Sequence, residues 1–275
     1  MNHVFVITGG SGGMGKATAE LVGKKGTILL ADMNEARLEQ TKQELAKKGI
    51  TDVHYQTVDI TDRENVKALA DKAASLGKLK SIIHTAGLSP TMGDARRILE
   101  VNLVGTGIVL EAFYPLAEEG TVAVCIASMS AYNAPRQGPY TEWLKQPLAE
   151  NVIGQLLPMI QNQSAGAAYA LSKLGVLLIV EEQAIAWGQK GARIVSVSPG
   201  SINTPMGKQE AEAQPMMQAM LQVTPLQRFG EAHEIATAVE FLISDGASYI
   251  TGTDLRVDGG TTPNVAKLVE ARSQQ

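Results

Sequence analysis

The chain has 275 residues, 44% of them hydrophobic and 19% charged, with a formal net charge of −4. That composition is ordinary for a folded domain with a sizeable core, and it excludes a disordered chain. A mildly acidic balance with no dense Lys/Arg cluster excludes nucleic acid as the main partner.

Short aliphatic runs alternate with longer helix-compatible segments. In chain order, strands are predicted at 4–8, 27–31, 53–58, 81–85, 121–127, 192–197 and 255–257. Helices are predicted at 34–48, 62–76, 96–118, 169–188 and 231–244, after a first helix-like stretch at 16–23. Most strand runs are continuously apolar rather than alternating, as in strands covered on both faces of a parallel sheet. The alternation predicts an α/β fold, a doubly wound parallel sheet of about seven strands. Residues 131–166 break the rhythm between the fifth strand and the helix at 169–188. Trp143, Leu144, Leu148, Val152, Leu156 and Ile160 recur there at roughly helical spacing, with Pro135, Pro139 and Pro147 in the first half. This predicts a helical insertion rather than a second domain. The single cysteine, Cys125, lies in an apolar run and reads as a small core residue. The N-terminus has no charged stretch leading into a long apolar one, and no apolar run approaches the ~18 residues of a membrane span. A cytoplasmic protein with no membrane partner is expected.

The first strand runs into Thr8-Gly-Gly-Ser-Gly-Gly-Met-Gly15. Glycines at a strand-to-helix turn let the backbone approach a pyrophosphate, and the helix N-terminus adds free N–H groups and a positive dipole end. Two registers fit: Gly10/Gly12/Gly15 as G-x-G-x-x-G, or Gly9/Gly13/Gly15 as T-G-x-x-x-G-x-G. Asp32 closes the second strand, where a carboxylate can accept from both ribose hydroxyls and repel a 2′-phosphate. No Arg or Lys stands within 9–15 or immediately beside Asp32, so NAD is expected over NADP. Asp32 could instead cap a helix, a role that Asn34 could also fill. Asp59 ends the third strand, where it could meet an adenine amino group or cap the next helix jointly with Thr61.

Tyr169-Ala-Leu-Ser-Lys173 sets a phenol and an ammonium on one helical face, because positions i and i+4 are neighbours. A free phenol, with a pKa of about 10, is a poor base at neutral pH, and a nearby ammonium favours the phenolate. Taken with the glycine turn, Asp32 and a serine in the preceding strand, the chain resembles the short-chain dehydrogenase/reductase family, in its single-domain classical type. The resemblance covers almost the whole chain and implies one Rossmann-type NAD-binding domain over 1–275. It implies a catalytic tetrad: Asn102 in Val101-Asn-Leu-Val-Gly105, Ser128 in Ile126-Ala-Ser128, Tyr169 and Lys173. Tyr169 would be the general acid/base of an alcohol/carbonyl pair, Ser128 would hold the reacting oxygen, and Asn102 would position a water beside Lys173. Ser130 could face the same side as Ser128, and the family register selects Ser128. For the cofactor, the resemblance selects the T-G-x-x-x-G-x-G register, with contacts from Gly9, Ser11, Gly13, Met14 and Gly15. It adds Asp32 and Met33 after the second strand, Asp59 and Ile60 after the third, and Ala86 and Gly87 in Thr85-Ala-Gly87. Tyr169, Lys173 and the loop residues Pro199, Gly200, Ile202 and Thr204 complete the set. Tyr249-Ile-Thr-Gly and Val257-Asp-Gly-Gly260 resemble the family's final strand region.

The stretch from Gly87 to Asn102 is short for the family and that from Ser128 to Tyr169 is long. Together with Ala184-Ile-Ala-Trp-Gly188, this layout resembles the bacterial 3α-hydroxysteroid dehydrogenase/carbonyl reductase branch. Residues 205–224, with Met206, Met216, Met217, Met220 and Leu221, stand where the family covers its substrate. Methionines there suit a lid over a bulky apolar molecule, or simply pack on the domain. The expectation is an NAD-dependent enzyme that interconverts a secondary alcohol and a ketone, a hydroxysteroid or another apolar small molecule. The resemblance also implies a homodimer or homotetramer, commonly paired through helices matching 96–118 and 169–188, a surface the insertion could cover or reshape. The alternatives are a catalytically inactive NAD-binding sensor or scaffold on the same fold, and a 3-oxoacyl thioester reductase. His54, His84 and His233 lack metal-ligand spacing and no metal site is expected; His84 reads as the end of a buried strand.

Overall fold

The computed structural model of the chain describes residues 2–204 and 220–273. The strands are β1 (His3–Thr8), β2 (Thr27–Asp32), β3 (Val53–Thr57), β4 (Lys78–His84), β5 (Val122–Ile126), β6 (Arg193–Pro199), β7 (Ile202–Asn203), β8 (Gly230–Glu231) and β9 (Asp254–Val257). Seven of them form one parallel sheet in the order β3-β2-β1-β4-β5-β6-β9, and β7 pairs with β8 separately. Each predicted strand is present, displaced at its ends by at most a few residues.

The continuous apolar runs follow from burial on both faces. Along β1, Val4 and Val6 join one core while Phe5 and Ile7 join the other, as the two-residue period of a strand requires. Helices α1 (Gly13–Val22), α2 (Glu35–Lys47) and α3 (Arg63–Leu76) connect the first four strands. Asn34 caps α2 by accepting from Arg37 N at 3.0 Å, and Asp62 caps α3 by accepting from Glu64 N and Asn65 N. Neither Asp32 nor Asp59 is a helix cap, which leaves both carboxylates at the carboxyl edge of the sheet. The strand order reverses between β1 and β4, which opens a crevice there.

After β4 the chain forms α4 (Ala95–Leu99), a π turn (Glu100–Val104) and α5 (Gly105–Phe113) in one continuous run. The run Ala95–Leu116 is long and apolar enough to cross a membrane, but 67% of its most apolar window is buried inside the protein, so it is a core helix. Helices α6 (Thr141–Lys145) and α7 (Val152–Leu156) lie within 131–166, and α8 (Ala165–Gln189) follows, capped by Ser164. Among the described residues, 220–223 are also helical, and α9 (Ala232–Ile243) and α10 (Thr261–Ser273) follow. Nothing in the sequence reading anticipates α10, whose start is set by Asp258 accepting from Gly260 N and Thr262 N.

The segment 131–166 packs on α5 and α8. Leu144, Val152, Leu156 and Ile160 are buried in the same core as Leu103, Leu174 and Leu178. A Cβ at Gly107 of α5 would meet Pro147 Cγ at 2.7 Å, so the segment sits directly on that helix. Arg136 adds an exposed ion pair to Glu181 of α8. The segment thus covers part of α5 and α8 from within the chain. Leu144, fully buried, anchors this packing. Leu144→Ala is expected to destabilise the protein by about 2–5 kcal/mol, read from urea unfolding. A loss below about 0.5 kcal/mol, the range of exposed positions, would contradict a packed segment.

Candidate active site

The crevice at the carboxyl ends of β1 and β4 is a cleft of about 340 Å³. Its floor is the turn after β1. Gly9 has φ +66°, a conformation that glycine adopts without strain. A Cβ on Gly15 would stand 2.3 Å from Gly9 O, so the first turn of α1 rests on the glycine backbone. Thr85 Oγ1 donates to Thr8 O at 2.7 Å, tying the end of β4 to this turn.

Gly9, Ser11, Gly13, Met14, Gly15, Asp32, Met33, Asp59, Ile60, Ala86, Gly87 and Thr204 all line the cleft. Asp32 Oδ2 accepts from Ser11 Oγ at 2.6 Å and Ser11 N at 3.2 Å, which fixes the carboxylate at the rim. Asp59 accepts from Thr61 N and Oγ1, and Arg97 stands 3.5 Å from its other oxygen. Burial works against the charge of Asp59, but the Thr61 hydrogen bonds and Arg97 outweigh it and hold the carboxyl below its usual range.

The loop after β6 divides. Thr204 reaches the cleft, whereas Gly200 and Ile202 line a different cavity of about 450 Å³ with Arg228, Glu234 and Arg256. Pro199 ends β6 as a buried residue. The methionine-bearing stretch at 205–224 lies largely outside the described residues. Of its far end, Thr224 Oγ1 bonds Thr261 Oγ1 at 2.8 Å, which ties the return of the chain to α10.

The four candidate catalytic residues come from three elements: Asn102 from the π turn, Ser128 from the end of β5, and Tyr169 and Lys173 from α8. Lys173 is buried on α8, and its Nζ donates to Ile126 O at 2.9 Å, two residues before Ser128. That Nζ lies 5.8 Å from the centre of the Tyr169 ring. Burial lowers the Lys173 ammonium to about 8, which leaves it a cation at neutral pH. A Cβ on Gly87 would meet Asn102 Oδ1 at 3.1 Å and Lys173 Nζ at 3.4 Å, so glycine is what allows these groups to converge. Ser128 Oγ accepts from Ser130 N at 3.1 Å, so Ser130 supports Ser128 through its backbone. Asn102 sits in the π turn, and its side chain holds Leu88 N at 2.7 Å and Leu88 O at 2.9 Å.

The family profile described as "short chain dehydrogenase" matches residues 3–141, and a second, described as "Enoyl-(Acyl carrier protein) reductase", matches residues 156–262. A short-chain dehydrogenase/reductase of Alternaria brassicicola is 34% identical over 94% of this chain and 96% of its own. This chain belongs to the short-chain dehydrogenase/reductase family. A cyclopentanol dehydrogenase of Comamonas testosteroni is 30% identical over 96% of this chain and 98% of its own. The crystal structure of levodione reductase matches with a TM-score of 0.77 and 28% identity, covering 95% of this chain and 98% of that one.

As a member of this family the chain is an oxidoreductase. Among the cleft residues that the sequence alone does not assign, two are cationic. Arg37, in the first turn of α2, reaches back to Ser11 O at 3.3 Å, and Arg97 arrives from α4. Arg37 stands five positions beyond Asp32, outside the immediate neighbours considered for a phosphate site. Cys125 pairs in register with His84 and is fully buried, and burial pushes its thiol up to about 12, as befits a core residue.

Proposed function

We propose that this protein interconverts a secondary alcohol and the corresponding ketone on an apolar, ring-bearing substrate, with NAD as the preferred cofactor. The observation that carries the reading is Lys173, buried and held between the strand of Ser128 and the ring of Tyr169. A fixed positive charge there favours the phenolate, so Tyr169 serves as the general base in oxidation and the general acid in reduction. Ser128, whose oxygen accepts from Ser130, has its own hydroxyl proton to donate to the substrate oxygen as charge develops. Asn102 holds the proton path open beside Lys173. NAD, when bound, supplies the hydride acceptor.

The glycine turn, Ser11, Asp32, Asp59 and Gly87 form a cradle suited to the dinucleotide, and Asp32 favours ribose hydroxyls over a 2′-phosphate. The names of two relatives, levodione reductase and cyclopentanol dehydrogenase, support cyclic substrates, and the sequence layout supports hydroxysteroids among them. The test is initial rates with NAD and NADP across hydroxysteroids, cycloalkanols and sugar alcohols. Turnover of hydroxysteroids or cycloalkanols with NAD is the expected result; turnover confined to sugar alcohols would end the substrate reading.

A further inference from the structure

His84 is buried at the end of β4. Its Nδ1 lies 2.7 Å from Thr8 Oγ1 and its Nε2 lies 3.0 Å from Thr106 Oγ1. The direction of each bond follows from its neighbours. Thr106 Oγ1 donates its one proton to Asn102 O at 2.7 Å, so it can only accept from His84. His84 therefore carries its proton on Nε2, and its bare Nδ1 accepts from Thr8. Thr8 Oγ1 in turn accepts from Ala86 N at 3.4 Å.

The far side of Asn102 continues the chain. Asn102 Nδ2 donates to Ser172 Oγ at 3.3 Å, and Ser172 Oγ donates to Tyr169 O at 2.8 Å. One directed series thus runs from the cofactor turn at Thr8, through His84, Thr106 and Asn102, to the helix that bears Tyr169. It crosses the chain at the π turn, where Gly105 N bonds Glu100 O and the regular helical ladder is interrupted. An apolar residue at position 84 would fill the same space without burying two polar atoms, but it would leave the Thr8 hydroxyl without its acceptor and Thr106 Oγ1 without the donor it takes from the ring. Burial keeps the ring neutral, with its pKa near 3, and a neutral ring is what the alternation of donor and acceptor requires.

We propose that His84 is a positioning residue for the reaction, locking the helix break at Asn102 to the end of β1 so that Asn102 and Tyr169 keep their places beside the cofactor cleft. The inference rests on the oxidoreductase reading above.

The experiment uses the full-length protein in four forms: wild type, His84→Gln, His84→Leu and Thr106→Val. Gln offers one donor and one acceptor and can restore the series, whereas Leu and Val break it at nearly constant volume. Thr106→Val and His84→Leu are expected to lower kcat by roughly tenfold, with the NADH dissociation constant, read by fluorescence titration, within about twofold of wild type. His84→Gln is expected to recover most of kcat. In ¹⁵N-histidine NMR, the His84 ring should show the Nε2–H tautomer in the wild type and a changed Nε2–H signal in Thr106→Val. An Nδ1–H tautomer would overturn the inference. So would unchanged kcat in Thr106→Val, or kcat and NADH affinity falling together with no recovery in His84→Gln, the pattern of a packing role. A wild type that turns over no ketone or alcohol overturns the oxidoreductase reading and this inference together; an active wild type with indifferent variants overturns this inference alone.

Discussion

Tyr169→Phe is expected to lower kcat by roughly 10²–10⁴-fold, the usual contribution of a positioned general acid/base. The ring would keep its place, because Tyr169 sits in the first turns of α8, whose start is set by Ser164 rather than by the phenol. Lys173 would keep its hydrogen bond to Ile126 O, which does not involve the hydroxyl. The cleft that cradles the dinucleotide is built mainly from β1, β2, β3 and β4 and the turns that follow them, so NADH should bind within about twofold of wild type. Stopped-flow rates and a fluorescence titration on the same preparation separate the two effects. A variant that keeps more than about a tenth of wild-type kcat would show that the proton is handled elsewhere.

Asp32→Ser is expected to move the ratio of NAD to NADP dissociation constants by roughly 10²-fold toward NADP. Two effects act in the same direction. Removing the carboxylate loses charged hydrogen bonds to the ribose, worth about 1.5–3 kcal/mol. It also removes a like charge from beside the 2′-phosphate, and Arg37, which lines the cleft and reaches Ser11 O beside Asp32, is then available as a cation. The double change Asp32→Ser with Arg37→Ala should bind NADP more weakly than Asp32→Ser alone. A ratio that stays near the wild-type value would remove Asp32 from the specificity of the site.

Much of this arrangement is legible in the residues themselves. Strands buried on both faces are largely apolar, which is why β1, β2 and β5 stand out in the sequence. The glycines at 9 and 15 are dictated by a backbone contact that no side chain could survive, so the turn announces itself. Other features depend on distances that no spacing encodes. Arg37 and Arg97 enter the cleft because the helices that carry them are capped and aimed by Asn34 and Asp94. The role of Thr85 is equally hidden, since the carbonyl it bonds, Thr8 O, is remote in sequence. The histidine at 84 read as a strand end, and only the fold sets Thr8 and Thr106 on its two nitrogens. The polar start of α10 gave no periodic signal, because Asp258 and not an apolar stripe defines it.

The glycine turn has a consequence for how a dinucleotide is received. Gly12 N bonds Gly9 O, Lys16 N bonds Gly12 O and Gly10 N bonds Ala31 O, so the turn is held by its own backbone. It is a template and not a loop awaiting order. A ligand with a pyrophosphate meets a surface already shaped for it, and little conformational entropy is lost on the protein's side of the encounter. Ligands that lack the pyrophosphate gain nothing from that rigidity, so selection between dinucleotides and smaller nicotinamide compounds is exercised at the turn before the reacting end of the cleft is reached.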